Sequence, residues 1–245
     1  MGKNKLKHFA EISKMPHVFE PAMEELVADD FPLKGKWRSD FFNNSNPIVL
    51  ELGCGKGEYT VGLAERYPEK NFIGVDIKGA RIWRGAKDVE EKNINNAAFL
   101  RTQIDFITAF FDTNEVDEIW ITFPDPQQRK NRKRKRLTGP FFLERYRIIL
   151  KPNAPIHLKT DSTFLYEYSI EVMEEYNHEI IEQIRDLYNV NDTSVRPELR
   201  EIRTHYEQLF YEKGNTIKYL QFKLNDNVPD WVTPKITKPH VFFDK

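Results

Sequence analysis

Cysteine is nearly absent: of 245 residues only Cys54 is one. A single thiol excludes an internal disulfide and any cysteine-based zinc site. The six histidines are scattered and never fall in an H-E-x-x-H pattern, so no metal is expected. No window approaches eighteen apolar residues, so no membrane span is expected. The opening "MGKNKLKHFAEISKMP" has charge but no apolar core of a signal peptide. It also has Leu6 where a myristoylation signal needs Ser or Thr. These absences fit a soluble protein in a reducing, cytoplasmic setting. Internal repeats are missing too.

What is abundant is charge, at 31% of residues, together with 13% aromatics and 40% hydrophobic residues. That is enough for a real core beneath an ionic surface. The charge is unevenly placed. Residues 129–136, "RKNRKRKR", hold seven cations. The net charge is −1, so without that +7 the rest of the chain stands at −8. An acidic body with one concentrated cationic strip points to a local polyanion site.

Five apolar runs read as strands: 47–52, 71–77, 97–102, 116–123 and 155–160. Several are almost continuously apolar, as strands buried on both faces are. Helical patterns separate them, and one of these, "TGPFFLERYRIIL", has Thr138 as its expected N-cap and Pro140 in its first turn. Strand alternating with helix predicts a parallel, doubly wound sheet. Residues 178–188 and 216–224 read as strand-rich, the antiparallel end of that sheet. Between them 196–214 is helical in pattern and ends at Gly214. Residues 1–40 read as a peripheral segment, 41–230 as the domain, and 231–245 as a tail.

The first strand runs into "ELGCGKGEYT", with Gly53, Gly55 and Gly57 between strand and helix. Glycine there allows a sharp turn and close approach of a ligand to the main chain. The dinucleotide fingerprint G-x-G-x-x-G would need glycine at 58, where this chain has Glu58. A pyrophosphate is also poorly matched to Glu51 and Glu58. A cationic cofactor without phosphate suits them, and S-adenosylmethionine has an ammonium and a sulfonium. Asp76, 21 residues after Gly55, ends the second strand, where a carboxylate accepts hydrogen bonds from a ribose diol. At the third strand's tip, either Gln103 or Asp105 is placed to meet the adenine edge. Cys54 reads as a small buried filler. The fourth strand delivers "FPDP", with Asp125 between Pro124 and Pro126. Each proline fixes its own φ, and Pro126 biases Asp125 toward extended backbone.

The pieces "ELGCGKG", "GVDIKGAR", "FPDPQQRKNRKRKR", "LKTD" and "RTHYEQLFYEKG" together resemble the bacterial tRNA (guanine-N7-)-methyltransferase family, over about residues 48 to 214. The resemblance implies a Rossmann-like class I methyltransferase, with a mostly parallel seven-stranded sheet flanked by helices and an antiparallel C-terminal edge. It implies methyl transfer from S-adenosylmethionine to N7 of the variable-loop guanosine at tRNA position 46. By motif position Glu51, Asp76 and Gln103 match cofactor-binding places. Asp125 matches an acidic place at the junction of cofactor and guanine, and is the expected catalytic residue. Arg129, Asp161, Thr204 and Glu207 match substrate-binding places, and Asn131, Arg132, Lys133, Arg134, Lys135 and Arg136 the RNA-interacting run. The chain departs from the family in three places. Gln103 stands where Asp is common, Gln127 and Gln128 replace a Trp-containing pair, and Arg129 replaces Lys. The implied partner is tRNA, to a protein that is a monomer or a homodimer, with no metal and no membrane. Competing readings are a methyltransferase for another RNA base or for protein, an RNA-binding module without catalysis, and, weakest, a nicotinamide oxidoreductase.

Overall fold

The computed structural model describes residues 2–22, 24–25, 30–189 and 195–225; the expected 231–245 tail lies outside them. An eight-stranded sheet forms the centre, in the order β1-β4-β3-β2-β5-β6-β8-β7. The strands are β1 (Val18–Phe19), β2 (Ile48–Leu52), β3 (Asn71–Asp76), β4 (Ala97–Arg101), β5 (Glu118–Thr122), β6 (Pro155–Thr160), β7 (Glu179–Ile184) and β8 (Lys218–Lys223). Neighbours from β1 to β6 pair in parallel, while β8 runs antiparallel to both β6 and β7. Seven strands match the expected sheet. The eighth, β1, comes from the first forty residues and pairs with Phe99 and Leu100. Two residues are too few to display a period-2 pattern.

The helices are α1 (Gly2–Ile12), α2 (Glu58–Arg66), α3 (Gly79–Glu91), α4 (Pro140–Ile149), α5 (Thr163–Glu175), α6 (Glu198–Glu201) and α7 (His205–Glu212). All residues of β2 and β3 are buried, because apolar layers cover both sheet faces. One layer includes Trp37, Leu50, Ile121 and Tyr166. The other includes Ile12, Val49, Tyr59, Trp120 and Tyr219. Ile12 and Trp37 are fully buried, so described parts of the expected peripheral segment are built into the core.

The helical stretch 196–214 is two helices, not one, because Thr204 caps α7 and stops the run from α6. Thr138 does not cap α4. Gly139 holds that place with Pro140 behind it, and the Thr138 hydroxyl instead accepts from Ser169 Oγ at 2.7 Å in the core. From β2 the chain winds outward through β3 and β4, then returns to place β5 on the other side of β2. The crevice at the carboxyl ends of β2 and β5 is therefore the topological switch point, where open α/β sheets bind ligands.

Candidate active site

The glycine-rich turn leaves β2 and enters α2 with Gly53, Gly55 and Gly57 at φ of 78°, 59° and 76°. L side chains rarely adopt this left-handed region. The three glycines differ in what surrounds them. A Cβ on Gly55 would meet nothing within 4 Å, and one on Gly53 only Leu137 Cδ1 at 3.9 Å. These two line open space. A Cβ on Gly57 would stand 2.6 Å from Phe99 and 3.4 Å from Gly85 Cα. Gly57 thus lets α2 close onto the sheet and α3, and it faces no cavity.

Glu51 is 3% exposed. Its carboxylate accepts from Thr60 N at 2.8 Å, Thr60 Oγ1 at 2.6 Å and Thr122 Oγ1 at 2.7 Å. Burial nevertheless pushes its pKa up to about 7, the three hydrogen bonds only partly opposing it. Asp76, at the tip of β3, accepts from Gly55 N at 2.9 Å and Lys78 N at 2.8 Å. Each of its oxygens keeps acceptor capacity for a further donor. Ile77 beside it is 52% exposed and offers an apolar surface next to that carboxylate. Nothing in its position in the sequence distinguishes it from a core isoleucine. Cys54 is buried, and burial raises its thiol pKa far above the usual range, with Glu51, Asp76 and Glu58 adding to the shift. It stays a thiol. The donor set therefore fits S-adenosylmethionine: open space over two glycines, and carboxylates where a dinucleotide would bring phosphates.

Gln103 and Asp105 are both exposed at the start of a short 3-10 segment after β4. The backbone carbonyl of Asp105 is tied to Arg145 Nε at 2.9 Å.

Beyond β5, Phe123 has φ 47° and Gln127 φ 46°. Two left-handed non-glycine residues bracket Pro124, Asp125 and Pro126. Such conformations persist only where surrounding structure enforces them, and they cluster at functional sites. The enforcing bonds run from Phe123 N to Lys159 O at 2.8 Å, and from Gln127 N to Asp125 Oδ1 at 3.1 Å. Asp125 is exposed. On the next strand, Asp161 follows β6 and accepts from Asn215 Nδ2 at 3.2 Å, while its carbonyl accepts from Lys218 Nζ at 3.1 Å.

The basic run forms a 3-10 segment, Lys130–Lys135. Arg129, Lys130, Asn131, Arg132, Lys133, Arg134 and Lys135 are exposed. A cleft of about 390 Å³ opens between this segment and the start of α4, lined by Lys130, Lys133, Arg134 and Phe141 among others. Arg136 stands apart from the strip, at 6% exposed.

Thr204 and Glu207 do come together, but facing inward. They form a capping box at the start of α7: Glu207 N donates to Thr204 Oγ1 at 3.0 Å. Both side chains of the Lys159–Glu207 ion pair are fully buried, 2.6 Å apart. Lys159 Nζ also donates to Tyr59 OH at 2.9 Å and Leu199 O at 2.6 Å, and Tyr188 OH donates to Glu207 at 2.7 Å. Burial lowers the Lys159 pKa to about 8 against the pull of Glu207. A carboxylate so enclosed has no face for an external substrate in this geometry. Shared helical spacing could not distinguish an inward from an outward pair.

A parallel sheet with a glycine-rich turn at its switch point, an acidic second-strand tip and open space between them defines a Rossmann-like methyltransferase. The sequence matches the Methyltransf_4 methyltransferase family model over residues 45–220. It is 52% identical to the tRNA (guanine-N(7)-)-methyltransferase of Christiangramia forsetii, over 91% of this chain and 99% of that protein. It is 50% identical to the protein of the same name from Bacteroides thetaiotaomicron, over 91% and 87%. The chain belongs to the tRNA (guanine-N7-)-methyltransferase family. Solved structures resemble it in fold: the 16S rRNA methyltransferase KamB (TM-score 0.57, 12% identical, 84% of this chain and 95% of that one), and a SAM-dependent methyltransferase from Aquifex aeolicus (0.51, 14%, 88% and 98%). Among the described residues no helix is long and apolar enough to cross a membrane, and no group of acidic, His or Cys side chains is arranged to hold a metal.

Proposed function

We propose that the protein methylates N7 of a tRNA guanosine, at variable-loop position 46, using S-adenosylmethionine. The observation that carries this reading is Asp125, held between two left-handed residues at the switch-point crevice, with the open glycine turn on one side and an exposed cationic strip on the other. When bound, S-adenosylmethionine supplies a methyl group on an electrophilic sulfonium. Gly53 and Gly55 would give it room, Asp76 would take the ribose hydroxyls, and the buried Glu51, once ionised, would answer its ammonium.

Guanine N7 has an in-plane lone pair on the major-groove edge, free even in a Watson–Crick pair. It carries no proton, so attack needs no general base. The chain must align the base and exclude water, worth about 7–11 kcal/mol in well-oriented cases. The product ring is cationic, and Asp125 and Asp161 flank the crevice where that charge develops. As acceptors they also pair with the N1–H and N2–H₂ edge that distinguishes guanine from adenine. The exposed cations position the RNA through its phosphates and read no sequence.

The test uses purified protein, S-adenosylmethionine with a labelled methyl, and an unmodified tRNA carrying a variable-loop guanosine. The expected label is in 7-methylguanosine and disappears when that guanosine is changed to adenosine. Label in another nucleoside, or persistence after the change, refutes the assignment.

A further inference from the structure

Arg136 closes the cationic run, yet its surroundings differ from those of the six cations before it. Those six are exposed; Arg136 is 6% exposed. Its Nε donates to Gln127 O at 3.1 Å and its Nη2 to Gln128 O at 3.4 Å. This is one of the two edges of a guanidinium that can clasp a phosphate in a fork, and here it is occupied by two backbone carbonyls. The cation lies 4.3 Å from the Tyr168 ring centroid and 4.6 Å from that of Phe164. Both rings belong to α5, whose N-cap, Ser162, directly follows Asp161.

The bonds made by Gln127 give this arrangement its consequence. Gln127 is left-handed, with φ 46°, a conformation that a glutamine does not hold unaided. Its N–H donates to Asp125 Oδ1 at 3.1 Å, and its C=O accepts from Arg136. One residue is therefore fixed on both sides, by the Asp125 carboxylate and by the Arg136 guanidinium. Through its two aromatic contacts Arg136 also ties this turn to α5, the helix that begins beside Asp161. Lysine would keep the charge but could neither make both bonds in fixed geometry nor stack as a plane on the two rings.

We infer that Arg136 is a positioning residue for methyl transfer: it clamps the Gln127–Gln128 turn so that Asp125 is held relative to Asp161, and it does not grip RNA. This rests on the tRNA methyltransferase reading above. The experiment compares Arg136→Lys, Lys133→Ala and wild type in steady-state tRNA methylation across salt concentrations, with thermal unfolding in parallel. Arg136→Lys is expected to lower kcat about tenfold to a hundredfold, the scale of a slightly misplaced reacting group. Its KM for tRNA and its salt slope should match wild type. Lys133→Ala is expected to raise the KM for tRNA and to flatten the log–log salt slope by about 0.7. The inference is overturned if Arg136→Lys raises KM and flattens the slope at unchanged kcat, or if it behaves as wild type throughout. Should Arg136→Lys fail to fold, Phe164→Ala serves instead, since Phe164 is 38% exposed and walls the guanidinium. Lower kcat at constant salt slope supports the clamp, and unchanged kcat overturns it. A wild-type protein that leaves tRNA unmethylated refutes the underlying reading, which the Arg136→Lys comparison alone cannot do.

Discussion

Removing the Glu207 carboxylate separates a structural role from a substrate contact. In Glu207→Ala, Lys159 Nζ loses its partner at 2.6 Å, Tyr188 OH loses its acceptor at 2.7 Å and the α7 capping box is broken. Lys159 is fully buried, so its ammonium is left among neutral acceptors only. Stranding one member of a buried pair costs about 3–5 kcal/mol. For a domain of this size each kcal/mol lowers Tm by about 2–4 °C, which places the expected fall at about 6–20 °C. Lys159→Met combined with Glu207→Leu strands no charge, so it should recover about half of that loss. Calorimetry or circular dichroism on the three proteins measures this, and tRNA methylation at a temperature where all remain folded supplies KM. A Tm within about 2 °C of wild type, together with a raised KM for tRNA, would refute the reasoning and make Glu207 a substrate contact.

Other predictions concern the crevice and the strip. Asp125→Asn should lower kcat about a hundredfold with S-adenosylmethionine affinity little changed; full turnover in that variant removes Asp125 from the chemistry. Gly57→Ala should destabilise by about 1–3 kcal/mol through overpacking, because the buried Phe99 ring at 2.6 Å has nowhere to go. Gly55→Ala should cost only about 1–2 kcal/mol of backbone strain while weakening cofactor binding, and denaturation with cofactor titration separates the two. Glu51, an acid raised to about 7, holds a proton in the folded chain between its ordinary value and about 7. Its contribution to stability is therefore full at low pH and falls as pH rises through that window. Because an ammonium is favoured by the ionised form, S-adenosylmethionine affinity should rise about tenfold per pH unit up to about 7. A flat profile in wild type, or the same slope in Glu51→Gln, contradicts this. If four of the exposed cations touch phosphates, the log–log salt slope is about −3, and raising salt from about 50 to 200 mM weakens tRNA binding about fiftyfold. Salt-independent binding excludes the strip as the RNA grip.

The core strands were legible because parallel strands buried on both faces leave continuous apolar runs. Residues 155–160 coincide with β6, and 97–102 overrun β4 by one residue. The strand expected at 116–123 is shorter, because Val116 makes only an isolated bridge to Leu150 and Phe123 turns left-handed. Short or composite features were not legible. The two residues of β1 carry no period, and the helical pattern of 196–214 does not reveal that Thr204 breaks it in two.

The same division runs through the candidate site. Sequence by itself determined the order of the parts: glycines after the first strand, an acid ending the second, a proline-bracketed acid after the fourth, and then cations. It could do so because φ restriction, charge and strand periodicity are local properties, carried by neighbouring residues. Only the tertiary structure decided which side of the surface each part faces. Gly57 meets Phe99 while Gly55 meets open space, Glu207 turns inward to Lys159, and Arg136 leaves its exposed neighbours to stack on α5. Each of these depends on a partner far along the chain, and burial of a charge is decided by that partner and not by the residues beside it.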